Sequence, residues 1–259
     1  MKDILSIIPP RADRRLIYGS DPHQFIELRI PKAKPPYPLV MNIHGGFWRA
    51  LYSLDHAGHL CAALTEKGFL TANIEYRRVG NEGGGWPGTF EDISKAYSFL
   101  MQQSAKEHID SKRVVVMGHS AGGHLAVCLA AHDHTVRQVV SLAGVLDLQK
   151  AYNLHLSADA VVELMGGAPS AVPDHYKEGD PMQLAVGTAH QWLLHGTADD
   201  IVPCEFSEAY AKRKKQRKEK VDFMPLTGAG HFELIDPRSQ EWKSVESVLL
   251  KAAGGSSSR

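Results

Sequence analysis

Cysteine is scarce: Cys61, Cys128 and Cys204 are all there are in 259 residues. An odd number so widely spaced does not make a disulfide framework, and no pair has the CxxC spacing of a structural zinc site. Charge of one sign is lacking too. The 29 Lys and Arg residues balance 29 Asp and Glu, which argues against nucleic acid as a partner. No apolar run approaches the roughly 20 residues that cross a bilayer, and the stretch 4–8 is too short and interrupted for a secretory signal. The expectation is a cytoplasmic protein with no membrane and no nucleic-acid partner. Its assembly state, monomer or homodimer, is left open. The basic run KRKKQRKEK at 212–220 reads as the solvated end of an amphipathic helix whose apolar side is Phe206, Ala209 and Tyr210.

What is present is ordinary for a globular protein: 43% apolar and 22% charged residues. Strand and helix signals alternate, so we expect one α/β domain over 1–253 and a disordered tail over 254–259. Edge strands are predicted near 16–18 and 25–30, and buried strands at 38–43, 70–76, 113–117, 136–142, 191–194 and 221–224. The result would be a mostly parallel sheet of about eight strands with helices on both faces. Helices are predicted at 55–67, after residue 88, after residue 120, at 205–218 and at 239–252. Thr89 and Asp92 have the spacing of a capping box. Residues 147–187 break the rhythm. They read as a small cap-like insertion over the strand ends, with one helix at 157–165.

Three motifs carry the chemistry. Gly118-His119-Ser120-Ala121-Gly122 matches G-x-S-x-G, between a strong strand signal (RVVVM) and a helix. A sharp strand-to-helix turn projects the Ser120 hydroxyl, and glycines on both sides let the two elements approach. Serine is a weak nucleophile at neutral pH and needs a base, which needs an orienting acid. In the chain order Ser, Asp, His, His231 on the small-residue loop GAGH is the base. Asp199 in LLHGTADDIVP is the acid, with Asp200 as the alternative. His44-Gly45-Gly46-Phe47-Trp48 follows the 38–43 strand. It supplies one oxyanion donor from Gly46 or Phe47, and Ala121 supplies the other. Trp48 and His119 are candidate substrate contacts. His195 is read as a loop-stabilising residue. His56 and His59 lack further ligating partners for a metal. No metal and no cofactor are called for.

At these residues the chain resembles the α/β-hydrolase superfamily over nearly its whole length. The HGGFW loop is similar to that of kynurenine formamidases and small carboxylesterases. WPGTFEDISKAYSFL and LLHGTADDIVP resemble the catalytic domains of prolyl oligopeptidase-type peptidases, though the propeller domain of those peptidases is not expected here. The resemblance implies an α/β-hydrolase fold and a Ser120–His231–Asp199 triad. It also implies a serine carboxylesterase acting on small esters, with an arylformamidase or other small-amide hydrolase as the alternative.

Overall fold

The computed structural model describes residues 4–254. Of the tail expected at 254–259, residues 255–259 lie outside the described residues, and Gly254 belongs to a turn. Eight strands form one sheet: β1 (Arg14–Ile17), β2 (Phe25–Arg29), β3 (Tyr37–Ile43), β4 (Leu70–Ile74), β5 (Ile109–His119), β6 (Gln138–Leu142), β7 (His190–Gly196) and β8 (Val221–Leu226). Their order is β1-β2-β4-β3-β5-β6-β7-β8. The β1–β2 and β2–β4 pairs are antiparallel and all others parallel. The mostly parallel sheet with an antiparallel edge is therefore as the sequence predicts.

Successive strand residues point to opposite faces, and the central strands are apolar on both. Leu39, Met41 and Ile43 of β3 join one core while Val40 joins the other, and β5 divides Val116 from Val115 and Met117 in the same way. One face is covered by α1 (Gly58–Glu66) through Leu60, Cys61 and Leu64. The other is covered by α2 (Gly88–Gln102) through Ile93, Ala96, Tyr97 and Leu100, and by α3 (Ala121–His132).

The insertion holds three short helices where one was expected: α4 (Leu148–Asn153), α5 (Ala160–Met165) and α6 (Pro173–Gly179). Six or seven residues give fewer than two turns, too few to show a 3.6-residue period. Asp147 caps α4 by accepting from Lys150 N, and Pro173 opens α6. The two remaining helices are α7 (Glu205–Gln216) and α8 (Trp242–Ala252), the latter packing on the α1 face.

Two sequence readings are corrected. Thr89 and Asp92 form no capping box, because α2 starts at Gly88 with Pro87 as N-cap. Asp92 is buried and accepts from Arg77 N, Nε and Nη2 and from Gln24 Nε2. The basic run is likewise not all solvated. Lys214 is buried with its ammonium donating to Leu184 O, while Arg213 Nε donates to Met182 O (2.8 Å) and Arg217 Nη1 to Leu184 O (2.9 Å). These cations dock on backbone carbonyls of the insertion, partners that carry no sequence signature.

The strand order decides where a site can form. The chain leaves β3 for β4 on one side and leaves β5 for β6 on the other, so the connections from the paired ends of β3 and β5 part in opposite directions. A crevice opens at such a switch point. The segments that leave these two ends are His44–Trp48 and His119–Ala121.

Candidate active site

β5 runs straight into the turn at Ser120, whose backbone has φ 56° and ψ −120°. Such strain in a non-glycine residue persists only where the surroundings fix it. Here Ser120 N donates to Leu142 O (2.8 Å), and its carbonyl accepts from His124 N (3.2 Å), which opens α3. The glycines explain themselves by contact. A Cβ on Gly118 would stand 2.1 Å from Gly122 O, and one on Gly122 would stand 2.0 Å from Ile43 O. Only glycine allows strand, turn and helix to close up this far. Ala121 is the first residue of α3, so its N–H has no partner within the helix. Partial positive charge gathers at that end.

The loop after β3 lies against this turn. A Cβ on Gly45 would meet Ser120 Cβ at 3.1 Å. Gly46, Phe47 and Trp48 all have positive φ, at 111°, 49° and 57°. At Gly46 a side chain would also strike Tyr52, at 2.5 Å from its Cβ. A buried polar network braces the loop from below. His44 Nε2 lies 3.2 Å from Glu75 Oε1, Arg78 Nη2 lies 3.0 Å from the same oxygen, and Leu54 N donates to Glu75 Oε2 (3.1 Å). The Tyr76 hydroxyl donates to His44 O (2.9 Å). Burial by itself would raise the Glu75 carboxyl. The bond and charge of His44, the Arg78 charge and the Leu54 amide outweigh it and hold Glu75 below the ordinary range. Glu75 and Arg78 carry no motif, and sequence reasoning missed them.

The loops after β7 and β8 bring Asp199 and His231 together. His231 Nδ1 stands 2.6 Å from Asp199 Oδ2. A carboxylate only accepts, so Nδ1 carries the hydrogen and Nε2 is left as the basic nitrogen. Asp199 Oδ1 accepts from Ile201 N (2.9 Å) and Val202 N (2.8 Å). His195 Nε2 lies 3.2 Å from Asp199 Oδ2 and 2.8 Å from Val202 O, both acceptors, while its Nδ1 is 2.8 Å from Ser207 Oγ. His195 therefore steadies the loop as expected and also touches Asp199, which the sequence did not reveal. Burial pushes the Asp199 carboxyl up, but the hydrogen bonds of His195 and His231, the His231 charge and the Val202 amide win and hold it well below the carboxylate range. Asp200, next along the chain, is exposed.

Two expected substrate contacts are corrected. Trp48 is 1% exposed and packs edge-on against His124, 5.2 Å between centroids, so its indole belongs to the core. His119 is equally buried. Its Nε2 donates to His231 O (3.0 Å) and its ring lies 4.5 Å from the His231 ring. Burial, and then the neighbouring His231 and His56, keep it neutral. It supports His231 rather than facing a ligand. His56 packs on the His119 and Phe232 rings, and His59 Nε2 donates to Ile7 O (3.1 Å). Among the described residues, no group of three or more His, Cys, Asp and Glu side chains could hold a metal ion. No helix there is long and apolar enough to cross a membrane.

Residues 26–213 match the BD-FAE family. Esterase LipC of Mycobacterium tuberculosis is 25% identical over 86% of this chain and 60% of its own length. A probable isoprenylcysteine alpha-carbonyl methylesterase of Oryza sativa is 29% identical over 91% of this chain and 62% of its own. The chain thus spans about three-fifths of those two relatives. Kynurenine formamidase of Danio rerio is 26% identical, covering 92% of this chain and 81% of that protein. Among solved structures, a truncated carbohydrate esterase from gut microbiota superposes with TM-score 0.80 at 20% identity, covering 95% of this chain and 99% of that one. A thermophilic esterase of Thermogutta terrifontis gives 0.73 at 22% identity, covering 96% and 97%.

Proposed function

The chain belongs to the BD-FAE family and has the α/β-hydrolase fold that its motifs predict, and on that footing we propose that it is a serine hydrolase of small carboxylic esters. The observation that carries this reading is the 2.6 Å contact of His231 Nδ1 with a buried, ionised Asp199, beside the strained turn that presents Ser120. Ser120 Oγ attacks the ester carbonyl carbon and passes its proton to His231 Nε2, while Asp199 stabilises the imidazolium. The N–H groups of Ala121 and of Gly46 or Phe47 hold the oxyanion. The tetrahedral intermediate then breaks its bond to the alcohol oxygen, which takes the proton from His231 and leaves. Water, deprotonated by His231, cleaves the acyl-enzyme in the same way.

The esterase relatives support ester chemistry, and the fish kynurenine formamidase supports a second reading as an arylformamidase. Scaffold and triad serve both, because the choice lies in the pocket. A rate panel separates them: short p-nitrophenyl esters beside N-formylkynurenine, with Ser120→Ala as control. We expect Ser120-dependent ester cleavage and loss of turnover in the variant, with its melting temperature nearly unchanged. Retained turnover in Ser120→Ala would refute the nucleophile. Preference for the formamide would install the second reading. Inertness toward both, and toward a serine-directed phosphonate, would sink the hydrolase altogether.

A further inference from the structure

Residues 4–10, ahead of β1, cross the region of the proposed triad as a strap. Ile4 is buried and lines a cleft of about 720 Å³ together with His231, Phe232 and Ile201. A single 3₁₀ turn, Ile4–Ser6, then carries the chain over. Leu5, Ile7 and Pro9 line the other side, a slot of about 290 Å³ whose remaining wall is Leu51, Tyr52 and His56, with Ser53 and Asp55 at its polar end. The strap is fixed at three places. Ile7 O accepts from His59, Pro10 O accepts from Arg29 Nη2 (2.8 Å), and Pro9 packs so closely on Gly58 that a Cβ there would come within 2.4 Å.

The slot is joined to the reactive centre by both walls. Tyr52 lies directly on Gly46, the glycine of the oxyanion loop. His56 packs on the His119 ring, which in turn bears on His231. Burial, reinforced by His44 and His231, lowers the His56 pKa to about 3, so this wall is uncharged. Around the mouth the apolar surface is left to water: Leu51 is 80% exposed and Ile8, between Ile7 and Pro9, is 91% exposed. A single exposed leucine is ordinary, but exposed apolar residues at a slot whose walls bear on Gly46 and His119 mark a ligand surface.

We propose that the slot between the strap 4–10 and the loop 51–56 is a subsite for the hydrocarbon chain of an ester substrate. This rests on the esterase reading above and extends it. The chain enters past Leu51 and lies between Leu5 and Tyr52, with the ester group at Gly46 and Ser120. Strap and loop together set the preferred chain length.

Each methylene buried from water raises kcat/KM about fourfold. Two series read the two ends of an ester: p-nitrophenyl alkanoates from acetate to octanoate lengthen the acyl chain, and alkyl acetates from ethyl to hexyl lengthen the alcohol. The readout is the ratio of long-chain to short-chain kcat/KM within each protein, compared among wild type, Leu5→Ser, Leu51→Ser and the distant control Ile17→Ser. We expect the ratio to climb with chain length in one series, to fall at least tenfold in Leu5→Ser or Leu51→Ser, and to stay at the wild-type value in Ile17→Ser. The series that responds tells which end of the ester occupies the slot. Calorimetric binding of hexyl hexanoate, which offers a six-carbon chain at either end, to Ser120→Ala, with and without Leu51→Ser, reads the subsite without turnover. Weaker binding in the double variant supports the subsite even if the wild type cleaves no ester, an outcome that fails the esterase reading alone. Unchanged ratios in both series, or equal binding, overturn the subsite.

Discussion

Asp199 and Asp200 are chemically identical neighbours, and the fold gives them opposite surroundings. One is buried, takes two histidines and two amides, and is held ionised. The other faces water. Asp199→Asn keeps the shape but replaces the acceptor opposite His231 Nδ1 with an amide that can also donate, which favours the wrong tautomer. In serine proteases that exchange costs about 10⁴ in kcat. We expect a fall of that order in ester hydrolysis for Asp199→Asn and less than about threefold for Asp200→Asn. Steady-state kinetics on one p-nitrophenyl ester decides it, and the reverse ranking would move the acid to Asp200. The sequence favoured Asp199 through loop position and chain order. It could not separate the pair on chemistry, because what distinguishes them is burial and the company of His195. Nor could it place Glu75 and Arg78, whose roles follow from partners brought in by the sheet. Trp48 and His119 show the opposite failure: their motif positions suggested contact with a ligand, and the fold turned both side chains inward.

At the scale of elements, the turns at 45–46 and 118–122 were legible because glycine and close approach leave few alternatives. The short insertion helices were not, since their ends are set by a cap, a proline and distant contacts. Arg49, just past the proposed oxyanion loop, is one such contact. Its Nε donates to Glu163 Oε2 (2.6 Å), Nη1 to Ser157 Oγ (3.1 Å), and Nη2 to Ser157 O (2.8 Å) and Ala158 O (3.2 Å). The segment it grips holds His155, Ser157, Ala158 and Asp159 in left-handed conformations, φ 49° to 62°. Such residues cost about 1–3 kcal/mol each and need outside support. An exposed ion pair alone would be worth under about 1 kcal/mol, so the carbonyl contacts are the part that matters. Arg49→Ala is expected to free this segment. Amide exchange at 155–160 should rise at least tenfold while that of β5 stays at its wild-type rate. Hydrogen-exchange mass spectrometry reads both, and unchanged protection at 155–160 would show that the segment holds itself.

Across the whole molecule, the insertion joins the sheet's apolar core through Leu148, Ala151, Val161, Leu164, Met165 and Tyr176, and side-chain bonds to its backbone, which leave no pattern for a sequence reading, hold it further. Lys214, Arg213 and Arg217 grip carbonyls at 182–184 from α7. Asp180, at the end of α6, accepts from Leu148 N and Met182 N, both at 3.1 Å, and so joins the start of α4 to the end of the insertion. Burial is the main cause that pushes the Asp180 carboxyl up, to about 6 from 3.8. The two amides oppose the rise and Asp147 adds to it. A carboxyl raised in the folded state binds more protons folded than unfolded between those two values. Its contribution is therefore fully present below about pH 4 and is lost as pH rises through about 6. Asn at this position keeps an oxygen for the two amides and does not titrate. The stability of wild type relative to Asp180→Asn should thus fall as pH climbs from 4 to 6 and then level off. The total change is on the order of 2–3 kcal/mol, since each tenfold difference in proton affinity between the two states is worth about 1.4 kcal/mol. Urea midpoints of both proteins at pH 4, 5, 6 and 7 measure it. A difference that stays constant across that range would mean that Asp180 titrates alike in both states, and that the two amides already compensate its burial in full.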